Sequence, residues 1–218
     1  MRLTAVALLL VFCVSVLAEN QYDYYVLATE WAGTVCQEKK CTASSSSISK
    51  TFFNLHGLWP SKASGPLGPF NCDNVAWSAH YLTANTASLV EQYWNGLYGS
   101  QDDFHNHEWT KHGSCWNNDI KGVNPIDDYF KKAIELATRY NAYNILAKAG
   151  ITPGKSYAVN QVVAALTAAY KPNSFGLNCS GKGIEELRLC LDKSYNVIAC
   201  PGNVAKISCS GNVNFPAL

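Results

Sequence analysis

The chain has almost no net charge and no pair of cysteines at metal-binding or redox spacing. Its 218 residues include 17 basic and 16 acidic side chains, for a formal net charge of +1. Proteins that coat nucleic acid without regard to sequence are usually basic, so any nucleic acid would have to bind here in a local pocket. No two cysteines stand in a Cys-x-x-Cys arrangement. This argues against a zinc site and against a thioredoxin-like redox site.

Long apolar runs are absent after the first residues, and the run at the start is too short to cross a bilayer. Arg2, the apolar stretch 5–14 and the small-residue site Val16–Ala18 predict a secretory signal over residues 1–18. The short length favours this prediction over the alternative, a membrane anchor. We expect residues 19–218 to form one monomeric domain without a membrane segment.

The cysteine count agrees with a secreted chain. Of the nine cysteines, Cys13 lies in the predicted signal and eight remain. An even number of cysteines in a secreted protein predicts a set of disulfides, here four. Spacing alone leaves roughly 100 pairings open.

The periodicity of apolar residues predicts an α+β fold. Helical spacing dominates the middle of the chain and strand-like segments lie near both ends, an order typical of this class. The second predicted strand places His56 near its end, because Gly57 and Pro60 are expected to break the chain. The predicted elements are strands at 22–31, 51–58, 187–191 and 197–200, and helices at 74–98, 108–113, 125–140 and 157–170.

Three of the five histidines stand in two short segments. The segments are Phe53–Pro60 and His107–Gly113. If the second segment is helical, His107 lies one turn from Lys111, and Glu108 one turn from His112. These four side chains then share an arc of roughly 140°, while Trp109 faces the core. Two imidazoles, a carboxylate and an ammonium on one face suit proton transfer at an anionic centre such as a phosphodiester.

Two alternatives to catalysis are weaker. The zincin motif His-Glu-x-x-His sets its histidines one helical turn apart, whereas His107 and His112 are one residue further apart, so their rings should diverge on an α-helix. No cysteine remains to complete a metal site, and we expect neither a metal nor a cofactor. Ordinary surface polarity does not explain four such groups on one face beside a second histidine motif.

Both segments resemble the two active-site signatures of the ribonuclease T2 family, the secreted transferase-type ribonucleases that include the plant self-incompatibility RNases. The first signature matches at Leu55–Pro60, and the second at His107–Trp109, Lys111–Gly113 and Cys115. The resemblance covers essentially the whole mature chain. It implies one catalytic domain over residues 19–218, of class α+β, with a central antiparallel sheet, surrounding helices and four disulfides.

The resemblance implies an endoribonuclease that cleaves single-stranded RNA by attack of the ribose 2′-OH on the adjacent phosphate, leaving a 2′,3′-cyclic phosphate. His112 resembles the general base that takes the 2′-OH proton, and His56 the general acid that protonates the 5′-oxygen. His107 resembles a phosphate-binding residue. Glu108 and Lys111 resemble the groups that stabilise the pentacovalent transition state. With an unperturbed pKa of about 6.5, one imidazole can be neutral while its partner is protonated.

Two aromatic residues resemble base-binding positions of the family. Trp59 and Phe104 match sites where family members stack on or flank bases, and such stacking suits single strands. Core packing is the alternative for Trp59. Family members often have an aromatic at the position of His105, and some have an acidic residue at that of Ser61, so the base preference is left open. We expect His80 and His105 to be ordinary surface or helix histidines.

The cysteines and one asparagine carry further expectations. Asn178-Cys179-Ser180 is a formal sequon, which predicts glycosylation of Asn178. The family resemblance implies a disulfide between the loop after the first segment and the end of the second. The full set of implied pairs is Cys36–Cys41, Cys72–Cys115, Cys179–Cys209 and Cys190–Cys200.

A second hypothesis belongs to another functional class. The chain could be a secreted binding or signalling protein on the same scaffold with negligible catalysis. The intact set of catalytic residues argues against this hypothesis, since a missing histidine would have favoured it. For the leading hypothesis we expect entry into the secretory pathway and an extracellular, lysosomal or vacuolar destination.

Overall fold

A six-stranded sheet forms the centre of the structure, a computed structural model that describes residues 22–43, 47–64, 68–116, 122–202 and 204–218. The strands are β1 (Tyr24–Glu30), β2 (Asn54–Ser61), β3 (Lys155–Ala158), β4 (Phe175–Ser180), β5 (Gly183–Leu191) and β6 (Asn212–Phe215). Their order in the sheet is β2-β1-β5-β6-β3, and β4 also pairs with β5. The pairings are antiparallel except for a short parallel contact between β5 and β6.

Helices surround this sheet, so the predicted α+β class is confirmed. None of the helices in the described part of the chain is long and apolar enough to span a membrane. A 3₁₀ turn at Ala79–Tyr81 precedes α2, and a π-helical turn at Trp109–Gly113 continues α3. The helices are α1 (Ala32–Glu38), α2 (Ala84–Tyr93), α3 (Gln101–Glu108), α4 (Pro125–Arg139), α5 (Ala142–Lys148) and α6 (Val159–Tyr170).

Local signals predict some elements well and others poorly. The Asn124 side chain accepts a hydrogen bond from the backbone N–H of Asp127, and Pro125 opens α4, which therefore begins where the sequence predicts. The helix expected over 74–98 is shorter, because α2 begins only after Thr83 caps it. The strand expected at 197–200 is reduced to a bridge between Leu191 and Val197.

β2 extends further than the sequence predicts. The strand continues through Gly57 and Pro60 to Ser61, so the expectation that these residues break it is wrong. β2 is the edge strand of the sheet, where a proline that lacks an N–H can be accommodated. His56 consequently lies inside a strand instead of at its end.

A β-bulge at His56 changes which residues of β2 face the core. The residues on either side of His56 pair with consecutive residues of β1, Thr29 and Ala28, so His56 is one extra residue in the ladder. Leu55 and Leu58 are therefore both fully buried in the main core, although they are three residues apart. His56 is half-buried and lines a cavity.

The main core joins β1 and β2 to α4 and to the π-helical turn. The Tyr129 hydroxyl of α4 donates a hydrogen bond to the backbone oxygen of Leu58 at 3.1 Å. Trp109 is fully buried, as expected, with its ring centroid 5.9 Å from that of Tyr129. Its indole N–H donates to the backbone oxygen of Val75 at 2.7 Å. These contacts hold β2, which carries His56, against the π-helical turn, which carries His112.

The four disulfides join the pairs that the family resemblance implies. Cys72–Cys115 ties the chain after β2 to the end of the π-helical turn region. It closes a loop with a sequence separation of 43, compared with 5 for Cys36–Cys41. The other two pairs are Cys179–Cys209 and Cys190–Cys200.

Removal of Cys72–Cys115 by a double alanine substitution is expected to lower the free energy of unfolding by about 4 kcal/mol, whereas removal of Cys36–Cys41 should cost about 2 kcal/mol, because the longer loop constrains the unfolded chain more. Urea denaturation of both variants measures the two losses. Equal losses would contradict the loop-length argument, and a free Cys115 thiol in a non-reducing peptide map of active protein would contradict the pairing itself.

Candidate active site

The predicted catalytic side chains gather around one cavity of about 240 Å³. His56 reaches it from β2, and the other four reach it from the end of α3 and the π-helical turn that follows. The cavity is lined by His56, Trp59, His107, Glu108, Lys111 and His112, together with Val26, Pro60, Ser61, Gly68, Phe70, Arg188 and Val204.

The π-helical turn brings His107 and His112 closer together than an α-helix would. Side chains five residues apart point roughly 140° apart on an α-helix, whereas a π turn has hydrogen bonds from residue i to i+5. The two ring centroids lie 6.2 Å apart. The short α-helix predicted over 108–113 is therefore wrong in its geometry, although Glu108, Lys111 and His112 do share one cavity.

This geometry also removes the argument that the two imidazoles diverge too far to share a metal. Ligand atoms of His107, Glu108 and His112 all lie within 4.8 Å of one another, and within the described residues they form the group that could hold a metal ion. Imidazole and carboxylate are ligands that suit Zn²⁺. The expectation of metal-free catalysis thus needs a direct test.

His56 is held by carboxylates. Its Nδ1 lies 2.8 Å from Glu186 Oε1, and its Nε2 lies 3.9 Å from Glu108 Oε1. Burial by itself lowers the pKa of His56, but the hydrogen bond with Glu186 and the negative charges of Glu108, Glu30 and Glu186 outweigh burial and raise the pKa to about 9. The imidazolium form of His56 is therefore favoured at neutral pH.

His112 has the opposite electrostatic environment. Its side chain is only 5% exposed, and its ring stacks on Trp59 at 5.2 Å between centroids. Burial, helped by the positive charges of Lys111, His107 and His56, lowers the pKa of His112 to about 2. Among the described residues, Nδ1 of His112 finds no hydrogen-bond partner. The ring is therefore neutral over the usual pH range.

Glu108 of the second segment is buried against the first. Its side chain is 1% exposed, and its Oε2 accepts a hydrogen bond from the indole N–H of Trp59 at 2.9 Å. Burial raises the pKa of Glu108 to about 7. A methyl group at Gly57 would overlap both Glu108 Oε2 and Trp59 Nε1. Glycine at position 57 thus permits the close approach of the carboxylate and the indole to β2.

The two remaining predicted catalytic residues lie at the more open side of the cavity. His107 is exposed as a residue. Partial burial of its imidazole, together with the positive charge of Lys111, nevertheless lowers the pKa of His107. Lys111 is half-buried, and its Nζ lies 5.2 Å from the ring centroid of Phe70. An ammonium and an imidazole in this position can contact the oxygens of an anionic ligand.

The two predicted base-binding residues line different cavities. Trp59 is half-buried in the first cavity, with its indole N–H committed to Glu108. Phe104 lines a second cavity of about 440 Å³ together with His56, His107 and Glu108, and it also packs partly on the main core. His56, His107 and Glu108 line both cavities and therefore lie where the two meet.

The other two histidines are outside both cavities, as the sequence predicts. His105 lies in α3, is buried, and its Nε2 contacts the backbone oxygen of Trp94 at 2.8 Å. Burial lowers the pKa of His105. His80 is exposed in the 3₁₀ turn.

The sequence analysis did not single out one aromatic and two charged residues at the site. Phe70 and Arg188 line the first cavity, and Glu186 contacts His56. Glu186 and Arg188 alternate in β5, so both side chains lie on one face of the strand. Two charged residues two positions apart in the interior of a strand were a sequence signal for a polar site. The sequence around them gives no indication, however, that they lie close to β2.

Asn178, the predicted glycosylation site, lies in β4 and is half-buried. It pairs with Glu186 in the sheet, and its Nδ2 donates to Glu186 Oε2 at 3.4 Å. The amide is therefore part of the surroundings of the carboxylate that contacts His56.

Known proteins are similar to this chain along most of its length. The sequence model of the ribonuclease T2 family matches residues 22–200. Extracellular ribonuclease LE of Solanum lycopersicum is 30% identical over 207 residues, which cover 90% of this chain and 88% of that protein. Intracellular ribonuclease LX of the same organism is 28% identical over 227 residues, which cover 99% and 92% of the two chains.

A solved structure shows a similar fold. RNase NT, crystallised in complex with 5′-AMP, superposes with a TM-score of 0.78 and 25% sequence identity. The match covers 91% of this chain and 100% of that one.

Proposed function

Since the chain belongs to the ribonuclease T2 family and is a T2-type endoribonuclease, we propose that it cleaves single-stranded RNA by 2′-OH transphosphorylation with histidine acid–base catalysis. The observation that carries this proposal is the opposite electrostatics of two histidines at one cavity. The pKa of His56 is raised and that of His112 is lowered. A pair of titratable groups pushed apart in this way suits an acid and a base.

In the proposed reaction, His112 and His56 move protons at opposite ends of the reacting phosphodiester. Neutral His112 takes the proton from the 2′-OH, and the 2′-oxygen attacks the phosphorus. Protonated His56 gives its proton to the departing 5′-oxygen, which leaves a 2′,3′-cyclic phosphate and a free 5′-OH. Because DNA has no 2′-OH, it is not a substrate.

Three further side chains would stabilise the phosphate. The Lys111 ammonium lies where it can oppose the charge that grows on the phosphoryl oxygens, and the His107 imidazole lies where it can donate an N–H to them. Glu108 has a raised pKa because it is buried, so in mildly acidic solution its carboxyl is protonated and can donate a hydrogen bond to one of these oxygens.

The two cavities support binding of an unpaired strand. Trp59 lines one and Phe104 the other, with His56, His107 and Glu108 shared between them. We propose that the nucleosides on the two sides of the scissile phosphate occupy these two cavities. Bases must be unstacked from their neighbours to enter separate cavities, which favours single-stranded RNA.

The pH dependence of kcat/KM on an RNA dinucleotide should be bell-shaped and wider than two ordinary histidines would allow. A lowered pKa keeps His112 neutral on the acid side of pH 6.5, and a raised pKa keeps His56 protonated on the alkaline side. The acid limb is therefore expected below pH 6.5 and the alkaline limb above it. Two limbs that both lie at 6.5 would contradict the assignment.

Catalysis should not require a metal ion. We expect cyclic-phosphate release from yeast RNA to be unchanged by EDTA, because the nucleophile belongs to the substrate and the proposed acid and base are histidines. The potential metal ligands His107, Glu108 and His112 lie close enough together to make EDTA treatment a genuine test. Activity that EDTA removes and a divalent ion restores would refute the metal-free mechanism. No cyclic-phosphate release under any condition would favour the binding or signalling hypothesis.

The cellular destination is also a proposal. The predicted signal at residues 1–18 lies outside the described residues, and relatives include ribonucleases named extracellular and intracellular. We propose entry into the secretory pathway, because four disulfides form and persist in oxidising compartments. Amino-terminal sequencing of the mature, monomeric protein should begin near Glu19.

Glycosylation of Asn178 remains a prediction. A glycan on its Nδ2 would replace one of the N–H groups near Glu186. Mass spectrometry of the peptide that contains Asn178, before and after treatment with a peptide N-glycosidase, decides whether the sequon is occupied.

A further inference from the structure

Glu186 of β5 contacts the proposed general acid, although it belongs to neither histidine segment. We propose that Glu186 is a positioning residue, which holds His56 with a proton on Nδ1 so that Nε2 faces the reacting phosphate. Arg188 is proposed to fix Glu186 in turn. The inference rests on the proposed acid role of His56, and the experiment below separates the two.

The sheet places Glu186 next to His56. Glu30 of β1 pairs with Asn54 of β2 on one side and with Glu186 of β5 on the other. Strand β1 therefore lies between the strand that carries His56 and the strand that carries Glu186. The bulge in β2 turns His56 towards this row of polar side chains. As a result, Nδ1 of His56 and Oε1 of Glu186 are 2.8 Å apart, although 130 residues separate them in the chain.

The contact with Glu186 determines which nitrogen of His56 can act. An ionised carboxylate only accepts hydrogen bonds, so Nδ1 must carry a proton in this contact. The other ring nitrogen, Nε2, then exchanges the catalytic proton. Nε2 is directed towards Glu108, on the side of the two cavities. This arrangement corresponds to the way in which a carboxylate fixes the tautomer of a catalytic histidine in hydrolase triads.

Glu186 is itself held as an anion. Its side chain is only 9% exposed, and its Oε2 accepts a hydrogen bond from Nε of Arg188 at 2.6 Å. Burial alone would raise the pKa of Glu186, but the hydrogen bond with His56 and the positive charges of His56 and Arg188 outweigh burial and lower it. Asn178 donates a further, longer hydrogen bond to the same oxygen. The carboxylate therefore stays charged and in place under His56.

Other charged groups also surround His56, so the effect of Glu186 on the pKa and orientation of His56 must be compared with theirs. Glu30 of β1 and Glu108 of α3 add negative charge, while His107 and His112 are the titratable groups that face it from the other side. Glu186 differs from the other carboxylates because it makes the direct hydrogen bond to Nδ1. Its removal should thus change both the orientation and the protonation of the ring.

The experiment compares Glu186→Gln with Glu185→Gln, which removes the same charge one residue earlier in β5. In the described part of the chain, Glu185 makes no side-chain hydrogen bond to His56. On an RNA dinucleotide near pH 8, we expect kcat/KM of Glu186→Gln to fall by about 10- to 100-fold, as when a metal-ligating histidine loses the partner that orients it. The alkaline limb of its pH profile should move to lower pH. Because the charge of Glu185 also acts on His56, but without a hydrogen bond, Glu185→Gln should keep nearly the wild-type rate and move the alkaline limb less than Glu186→Gln does.

A substrate that needs no acid tests the assignment independently. On a uridine 3′-phosphate ester of a nitrophenol, whose leaving group departs without a proton, Glu186→Gln should retain most of the wild-type rate. An equal loss on both substrates, with an unmoved alkaline limb, would overturn the proposal and assign Glu186 a purely structural role. So would a wild-type rate of Glu186→Gln on the dinucleotide while His56→Ala is impaired. If His56→Ala itself cleaves the dinucleotide normally, the proposed function fails instead.

Discussion

Alanine in place of either His56 or His112 is expected to lower turnover of an RNA dinucleotide by about 10²–10⁴-fold, the usual contribution of a positioned acid or base. The two variants should then differ on the nitrophenyl ester of uridine 3′-phosphate. His56→Ala should recover much of its activity on the ester, because the function it lost is protonation of the leaving oxygen. His112→Ala should stay impaired, because the 2′-OH must still be deprotonated. Steady-state rates on the two substrates measure this difference.

The expected result also requires folded variants. Cooperative thermal unfolding of both proteins would show that the loss of activity is catalytic. His80→Ala is a matched control, because His80 is exposed in the 3₁₀ turn and lines neither cavity. If the ester rescues His112→Ala and not His56→Ala, the acid and base are reversed. If both variants unfold, the residues are structural.

Gly57→Ala is expected to reduce activity by about 10²-fold, the effect of a small misplacement of catalytic groups. The new methyl group would overlap the Glu108 carboxylate and the Trp59 indole, which hydrogen-bond to each other beside β2. One of these buried groups must move. Overpacking of this kind costs about 1–3 kcal/mol of folding free energy, so the melting temperature should fall as well. Dinucleotide kinetics and thermal denaturation measure the two effects.

Gly150→Ala is the control for Gly57→Ala. Gly150 has a positive φ of 77°, and a methyl group there would meet nothing within 4 Å. Gly150→Ala should lower the free energy of unfolding through backbone strain but leave kcat/KM unchanged. Full activity in Gly57→Ala would show that the close approach of Glu108 to β2 is not needed for catalysis.

Local chemistry made much of the site predictable. His107, Glu108, Lys111 and His112 lie within six consecutive residues, so any compact local structure brings them near one another. α4 was predictable for the same reason, because its cap and its opening proline are adjacent in the chain. The α+β class followed from the order of periodic segments along the chain.

Other features could not be predicted, because they depend on which strands become neighbours. Position 60 was expected to end β2, yet a proline is accommodated there at the sheet edge. The bulge at His56 exists only relative to the residues of β1 that it faces. The π-helical turn was also missed, since the α-helical spacing that we assumed for 108–113 does not describe it.

The sequence by itself determined which chemical groups this protein has for moving protons, because those groups are consecutive or nearly so in two short segments. The tertiary structure alone decided their electrostatic state. His56 receives its carboxylate from Glu186, 130 residues away, through the pairing of β5 with β1 and the bulge in β2. His112 is buried beside positive charges by the packing of the π-helical turn. A pKa depends on burial and on neighbouring charges in space, and neither quantity can be read from a linear motif.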